Sequence, residues 1–178
     1  MKIIEGMDRI KQNIKEIDDL KKKIAQYCVR YSHEGFTYKD EAGNDSTRAK
    51  IAEWLQGANQ LALDNVNLQM RIQKTNISTM VTIKIGDNVI TKSISEWILR
   101  KRKYATLDLE IWKSLDDRNM RDGFMPTSSG EKVKTEVVRY YDPTLKDKRV
   151  KEYSLEAMKG GLIDTHLAIA SATTDLVD

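Results

Sequence analysis

A chain of 178 residues with 40% hydrophobic and 32% charged content and only two prolines has the apolar material for a folded core and the length of one domain, read here as a single helical domain over 1–178. Thirty Lys and Arg against 27 Asp and Glu leave +3 spread along the chain, which is no footprint of a dedicated nucleic-acid binder. One cysteine, Cys28, excludes an intrachain disulfide; no apolar run approaches the roughly 20 residues of a membrane-spanning helix; and the charged opening MKIIEGMDRIKQNIKEIDD is unlike a signal peptide, so a cytoplasmic location is expected.

The first segment places Ile3, Met7, Ile10, Ile14, Ile17, Ile24 and Cys28 at alternating four- and three-residue steps, with Lys21 in the slot that breaks the series. That spacing predicts a helix over 2–30 with a narrow coiled-coil seam and a charged back. Residues 31–46 lose the period and hold two glycines, Asn and Asp, which predicts a loop or hairpin tip, with Ser46 as N-cap of the next helix. From 47 to 76 a wider stripe of Ile51, Trp54, Leu55, Ala58, Leu61, Ala62, Leu68 and Ile72 predicts a second helix antiparallel to the first. Asn65 and Lys21 fall on these faces; each reads as the edge of its stripe, with a register-fixing polar pair as the alternative.

The period then shortens to two. Val81, Ile83 and Ile85 alternate with polar residues, GDN follows, and Val89 and Ile90 resume, which predicts a β hairpin over 79–92. Ser93 or Ser95 can cap a third helix over 94–118, with Ile94, Trp97, Ile98, Tyr104, Ala105, Leu109, Ile111, Trp112 and Leu115 on one side. Residues 119–132 read as a loop, and 134–142 as a strand that could join the hairpin in a three-stranded sheet, ended by Pro143. The last helix is expected over 145–177, carrying Val150, Leu155, Met158, Leu162, Ile169, Ala172 and Leu176, with Gly160 and Gly161 either kinking it or admitting a close contact. The fold class expected is mainly α: long antiparallel coiled-coil-like helices with a small β hairpin or three-stranded sheet.

The order of these parts resembles the septicolysin-like family of small helical bacterial and phage proteins. The residues that carry the resemblance are RIQKTN (71–76), the hairpin with SISEWILRKRK (93–103), EVVRYYD (136–142) and TTDL (173–176). The second Thr-Asn pair of that pattern is here Ala170 and Ser171, which withholds any shared role from those positions. The family name suggests pore formation, but no segment has the length or apolarity to insert as a helix, so lysis is discounted. Residues 67–81 can also be laid on 162–177, aligning Arg71 with His166 and Thr79 with Thr174, a likeness that generic amphipathic patterning accounts for.

The chemistry-bearing residues are sparse. His33 lies in the first loop, and His166 follows Asp164 at a spacing that does not make a metal pair on a helix. Cys28 sits on the seam and reads as a core or interface thiol. GFMPTSSGEK (123–132) lacks the spacing of a phosphate loop, and Asp116 and Asp117 read as a solvated helix end. No catalytic residues, metal or cofactor are expected.

RKRKY (100–104) is the sharpest charge feature, because one helical turn must point at least one of its four cations inward. Carboxylates such as Glu53, Asp64, Glu96 or Asp108 are the expected partners; a phosphate held by Arg beside Trp97 or Tyr104 is the functional alternative. Two functions follow. The first is a non-enzymatic homo-oligomeric assembly or interaction protein, a dimer or dimer of dimers, because the seam of the first helix needs a partner. The alternative is a sponge-like protein that sequesters a small anionic nucleotide at subunit interfaces through Arg71, Asn76, Trp97, Arg100, Arg102, Tyr104 and Arg139. Another protein is a further candidate partner.

Overall fold

The computed structural model describes residues 1–117 and 120–177. Arg118, the expected end of the third helix, and Asn119, the expected start of the following loop, lie outside the described residues. The chain is mainly helical with two small two-stranded antiparallel sheets, and it divides into two compact units, 1–79 with 170–178 and 80–169.

The first unit is a helical hairpin of α1 (Ile3–Tyr27) and α2 (Thr47–Ser78). The residues of α1 turned inward are Ile3, Gly6, Ile10, Asn13, Ile17, Leu20, Ile24 and Tyr27, again at alternating steps but starting with a three. Half of the expected seam therefore shifts by one residue: Met7, Ile14 and Cys28 are exposed. Close approach decides it. At Gly6 a Cβ would stand 3.0 Å from Leu176 Cδ1 and 3.4 Å from Ile72 Cδ1, so the position that sequence periodicity assigned to Met7 is taken by the one residue without a side chain. The seam is covered by α2 of the same chain, so α1 does not by itself require a second copy.

On α2 the inward residues include Ile51, Trp54, Ala58, Leu61, Asn65, Leu68, Ile72 and Thr75, whereas Leu55 and Ala62 face outward. Asn65 is no stripe edge. It is buried, and its Oδ1 accepts a 2.8 Å hydrogen bond from Asn13 Nδ2 across the hairpin. Asn13 Oδ1 is buried without a hydrogen-bond partner. Lys21 is an edge, exposed and paired with Asp18. At the hairpin tip Tyr27, Tyr38 and Trp54 stack edge-on and tilted; Ser46 holds the N-cap position with no side-chain hydrogen bond, and Asp45 accepts from the Thr47 amide instead. At the other end residues 174–177, which follow the last helix, close the hairpin: Ile3 donates to the Thr174 carbonyl, Leu176 to the Met1 carbonyl, and the Val177 amide to Thr75 Oγ1.

The second unit starts with β1 (Met80–Ile85) and β2 (Asn88–Ser93), paired in register from Met80 with Ser93 to Ile85 with Asn88. Gly86 turns between them at φ +60°, a conformation in which a side chain is strained. Ile83, Ile85, Trp97 and Ile163 form its core, with Val81, Ile90, Leu155 and Leu167 packed against them. The expected third helix is α3 (Ile94–Leu99) and α4 (Ala105–Lys113), joined by one π-helical turn, Arg100–Tyr104.

The three-stranded sheet does not form. Residues 123–132, read as loop, contribute β3 (Gly123–Pro126), which pairs with β4 (Lys132–Thr135), and residues 136–142 are not strand. The last helix divides into α5 (Pro143–Ala157) and α6 (Leu162–Thr173). α5 ends at Ala157 with Met158 already extended, and Gly160 at φ +65° carries the turn into α6, so the expected helix is broken outright at the glycine pair.

Candidate functional site

The basic run is set in place by a change of helical pitch. Ser93 caps α3, its Oγ accepting from the Glu96 amide while Glu96 Oε2 accepts from the Ser93 amide at 2.8 Å. The π turn that follows inserts an extra residue into the helix and rotates everything beyond it. Arg100 then donates through Nε to buried Glu156 of α5, stands 3.0 Å from Asp108 and lies with its guanidinium over the Tyr153 ring at 5.5 Å. Lys101 Nζ reaches Asp164 at 2.6 Å and the Met158 carbonyl at 2.7 Å. The anion opposite the run is thus internal, and of the four carboxylates expected for it only Asp108 takes part.

The electrostatics follow from those contacts. Burial works against the Arg100 charge, but hydrogen bonding and attraction to Glu156 and Asp108 outweigh it and hold the guanidinium above its ordinary value. The Lys101 ammonium, and after it the Gly160 amide, hold Asp164 below the usual carboxylate range. Farther along, Arg139 Nε donates to Asp117 at 3.0 Å and the Tyr141 hydroxyl donates to it at 2.6 Å. Asp117 is lowered by both, and the Tyr141 hydroxyl is raised, first by that hydrogen bond and then by burial.

The expected ligand set is dispersed. Arg71 and Asn76 belong to the first unit, and Trp97, Arg100, Arg102, Tyr104 and Arg139 to the second. Trp97 offers no stacking face: it is fully buried, its indole N–H donating to the Val81 carbonyl at 2.9 Å. Arg100 and Arg139 already hold carboxylates. Arg102 and Tyr104 are exposed, but residues two apart on a helix do not face one another. Arg71 Nε donates to the Val177 carbonyl at 3.2 Å, and Asn76 Oδ1 is buried without a hydrogen-bond partner. Among the described residues no group of three His, Cys, Asp or Glu can hold a metal, and no helix is long and apolar enough to cross a membrane.

What the periodicity reading passed over is the outer face of α2. Leu63, Val66, Met70 and Ile77 are 59, 56, 61 and 67% exposed, and with Ala52, Gln56, Asn59 and Gln73 they make a second series at alternating four- and three-residue steps. Between Glu53 and Lys74 the helix carries only two charges, Asp64 and Arg71. Both are half-buried and border one surface depression with Arg9 of α1, so the second series itself is uncharged. By contrast, α1 carries the ion pairs Lys11–Asp8, Lys21–Asp18 and Lys22–Asp19 on its outside. On α1, Ile4, Met7 and Ile14 are exposed as well. Counting a second period on α2, and noting the loss of charge along it, would have found this face from the sequence.

No family model, curated protein or solved structure matches this chain.

Proposed function

We propose that this protein is a non-enzymatic homo-oligomeric assembly or interaction protein that works through the surfaces of its helices. The observation that carries the reading is the uncharged apolar face of α2, exposed along Leu63, Val66, Met70 and Ile77. Depletion of charge, with Met among the side chains in its place, is a compositional mark of an interface core, and the four large apolar side chains stand in one row along the helix instead of singly. The reading rests on that face; the septicolysin-like resemblance carries no function with it. The alternative, sequestration of a small anionic nucleotide, draws little support from side chains already committed to Glu156, Asp108 and Asp117.

Native mass spectrometry of gently purified protein separates the two. A multiple of the 20.5 kDa chain mass with no added compound is the expected result. A monomer at every concentration would sink the assembly reading, and an oligomer that releases a phosphate-bearing compound on denaturation would favour sequestration.

A further inference from the structure

We infer that the partner of the α2 face is the same face of a second copy, the two α2 helices running antiparallel about a two-fold axis between Asp64 and Asn65. This rests on the assembly reading and specifies its geometry. The steps from Ala52 to Ile77 alternate four and three, the repeat that lets two helices interlock, and they span about 38 Å at 1.5 Å per residue. Laid antiparallel about that axis, the series is self-complementary. Leu63 meets Val66 of the second copy twice over, once on each side of the axis. Gln56 meets Gln73 of the second copy, amide to amide, and Ala52 meets Ile77 of the second copy. Only Asn59, opposite Met70 of the second copy, mixes polar with apolar.

Charge is complementary across this pairing. Just outside the seam the antiparallel arrangement brings Glu53 beside Lys74 of the second copy and Gln60 beside Asn67 of the second copy. Asp64, the charge nearest the axis, is half-buried, accepts a 3.0 Å hydrogen bond from Gln60 and borders the depression shared with Arg9 and Arg71, so its charge is met within its own chain. An isologous pairing of this kind closes on itself and gives a dimer instead of a filament.

Cysteine crosslinking tests the pairing in the full-length chain, with Cys28 replaced by Ser so that no native thiol competes. Asn59→Cys and Met70→Cys chains, carrying different tags, are co-expressed and oxidised. The antiparallel pairing predicts a disulfide between the two tagged chains and none when either variant is expressed alone, because 59 and 59, or 70 and 70, then lie about eleven residues, roughly 16 Å, apart along the helices. Crosslinking of each variant with itself would establish a parallel pairing and overturn the proposal. If light scattering shows an oligomer but no combination crosslinks, the α2 pairing is wrong while the assembly reading stands; a monomer, with helicity by circular dichroism equal to that of the unsubstituted chain, overturns both.

Discussion

Two buried polar contacts decide more of this structure than their number suggests. Arg100 is the hydrogen-bond donor to the buried Glu156 carboxylate. Arg100→Met would leave that carboxylate in the protein interior without its counter-charge, and a loss of about 3 kcal/mol in unfolding free energy is expected by chemical denaturation, since breaking one side of a buried ion pair costs about that much. Adding Glu156→Leu should recover most of the loss, because replacing both partners with apolar groups removes the penalty. The Asn13–Asn65 pair obeys the same logic in the first unit. Asn65→Leu strands the Asn13 amide, at an expected cost of about 1–3 kcal/mol. The double variant Asn13→Leu/Asn65→Leu should melt at or above the unsubstituted protein but lose uniqueness of register; recovery of full stability with sharp, unchanged amide NMR resonances would refute a register role. Periodicity placed Asn65 on the right face of α2. It could not say that the facing residue would be Asn13, because pairing across the hairpin depends on a register set where Gly6 packs closely against Ile72 and Leu176, both far from it in sequence.

At the level of elements, both interruptions of the expected helices lie beside charges that are met inside the fold. The π turn lets Arg100 and Lys101 both reach carboxylates, and the break at Gly160 lets Asp164, two residues into α6, accept from both the Gly160 amide and Lys101. Asp164 therefore ties the basic run to the α5–α6 break. Its folded pKa is depressed below the unfolded value of about 3.9, so its contribution is fully present above that pH and is lost as pH falls through the lower folded value. Asp117 and Glu96 are depressed as well, Asp117 first by Arg139 and Glu96 first by the Ser93 amide. Denaturation followed at successive pH values should show stability falling below about pH 4, and Asp164→Asn should reduce the size of that fall. An Asp164→Asn variant with the acid dependence of the unsubstituted chain would show that the Lys101 contact contributes nothing. The same feature explains why the long helices expected over 94–118 and 145–177 are each interrupted: apolar spacing alone reads through a π turn and through a glycine break, because both preserve apolar residues at roughly helical intervals.

For the whole molecule, the proposed assembly has a measurable signature. A contact made by uncharged side chains is little affected by ionic screening, so the oligomer mass should be the same at about 0.05 M and about 0.5 M salt, where the Debye length shrinks severalfold. Dissociation at high salt would point to the charged surfaces of α1 instead. Val66→Glu, which places a carboxylate at the centre of the seam, should convert the oligomer to monomer without loss of helicity. By itself the sequence determined the mainly helical class, the antiparallel hairpin of α1 and α2, the β hairpin at its turn residues and the Ser93 cap, because these follow from period and from local hydrogen-bonding chemistry. Tertiary structure decided the rest: which of two offset rows of α1 faces inward, that Trp97 is core, that Arg100 and Lys101 are met from α4, α5 and α6, and that β3 pairs with β4. Each of these depends on a neighbour distant in sequence, and the free energy of burying a side chain or satisfying a charge is fixed by that neighbour.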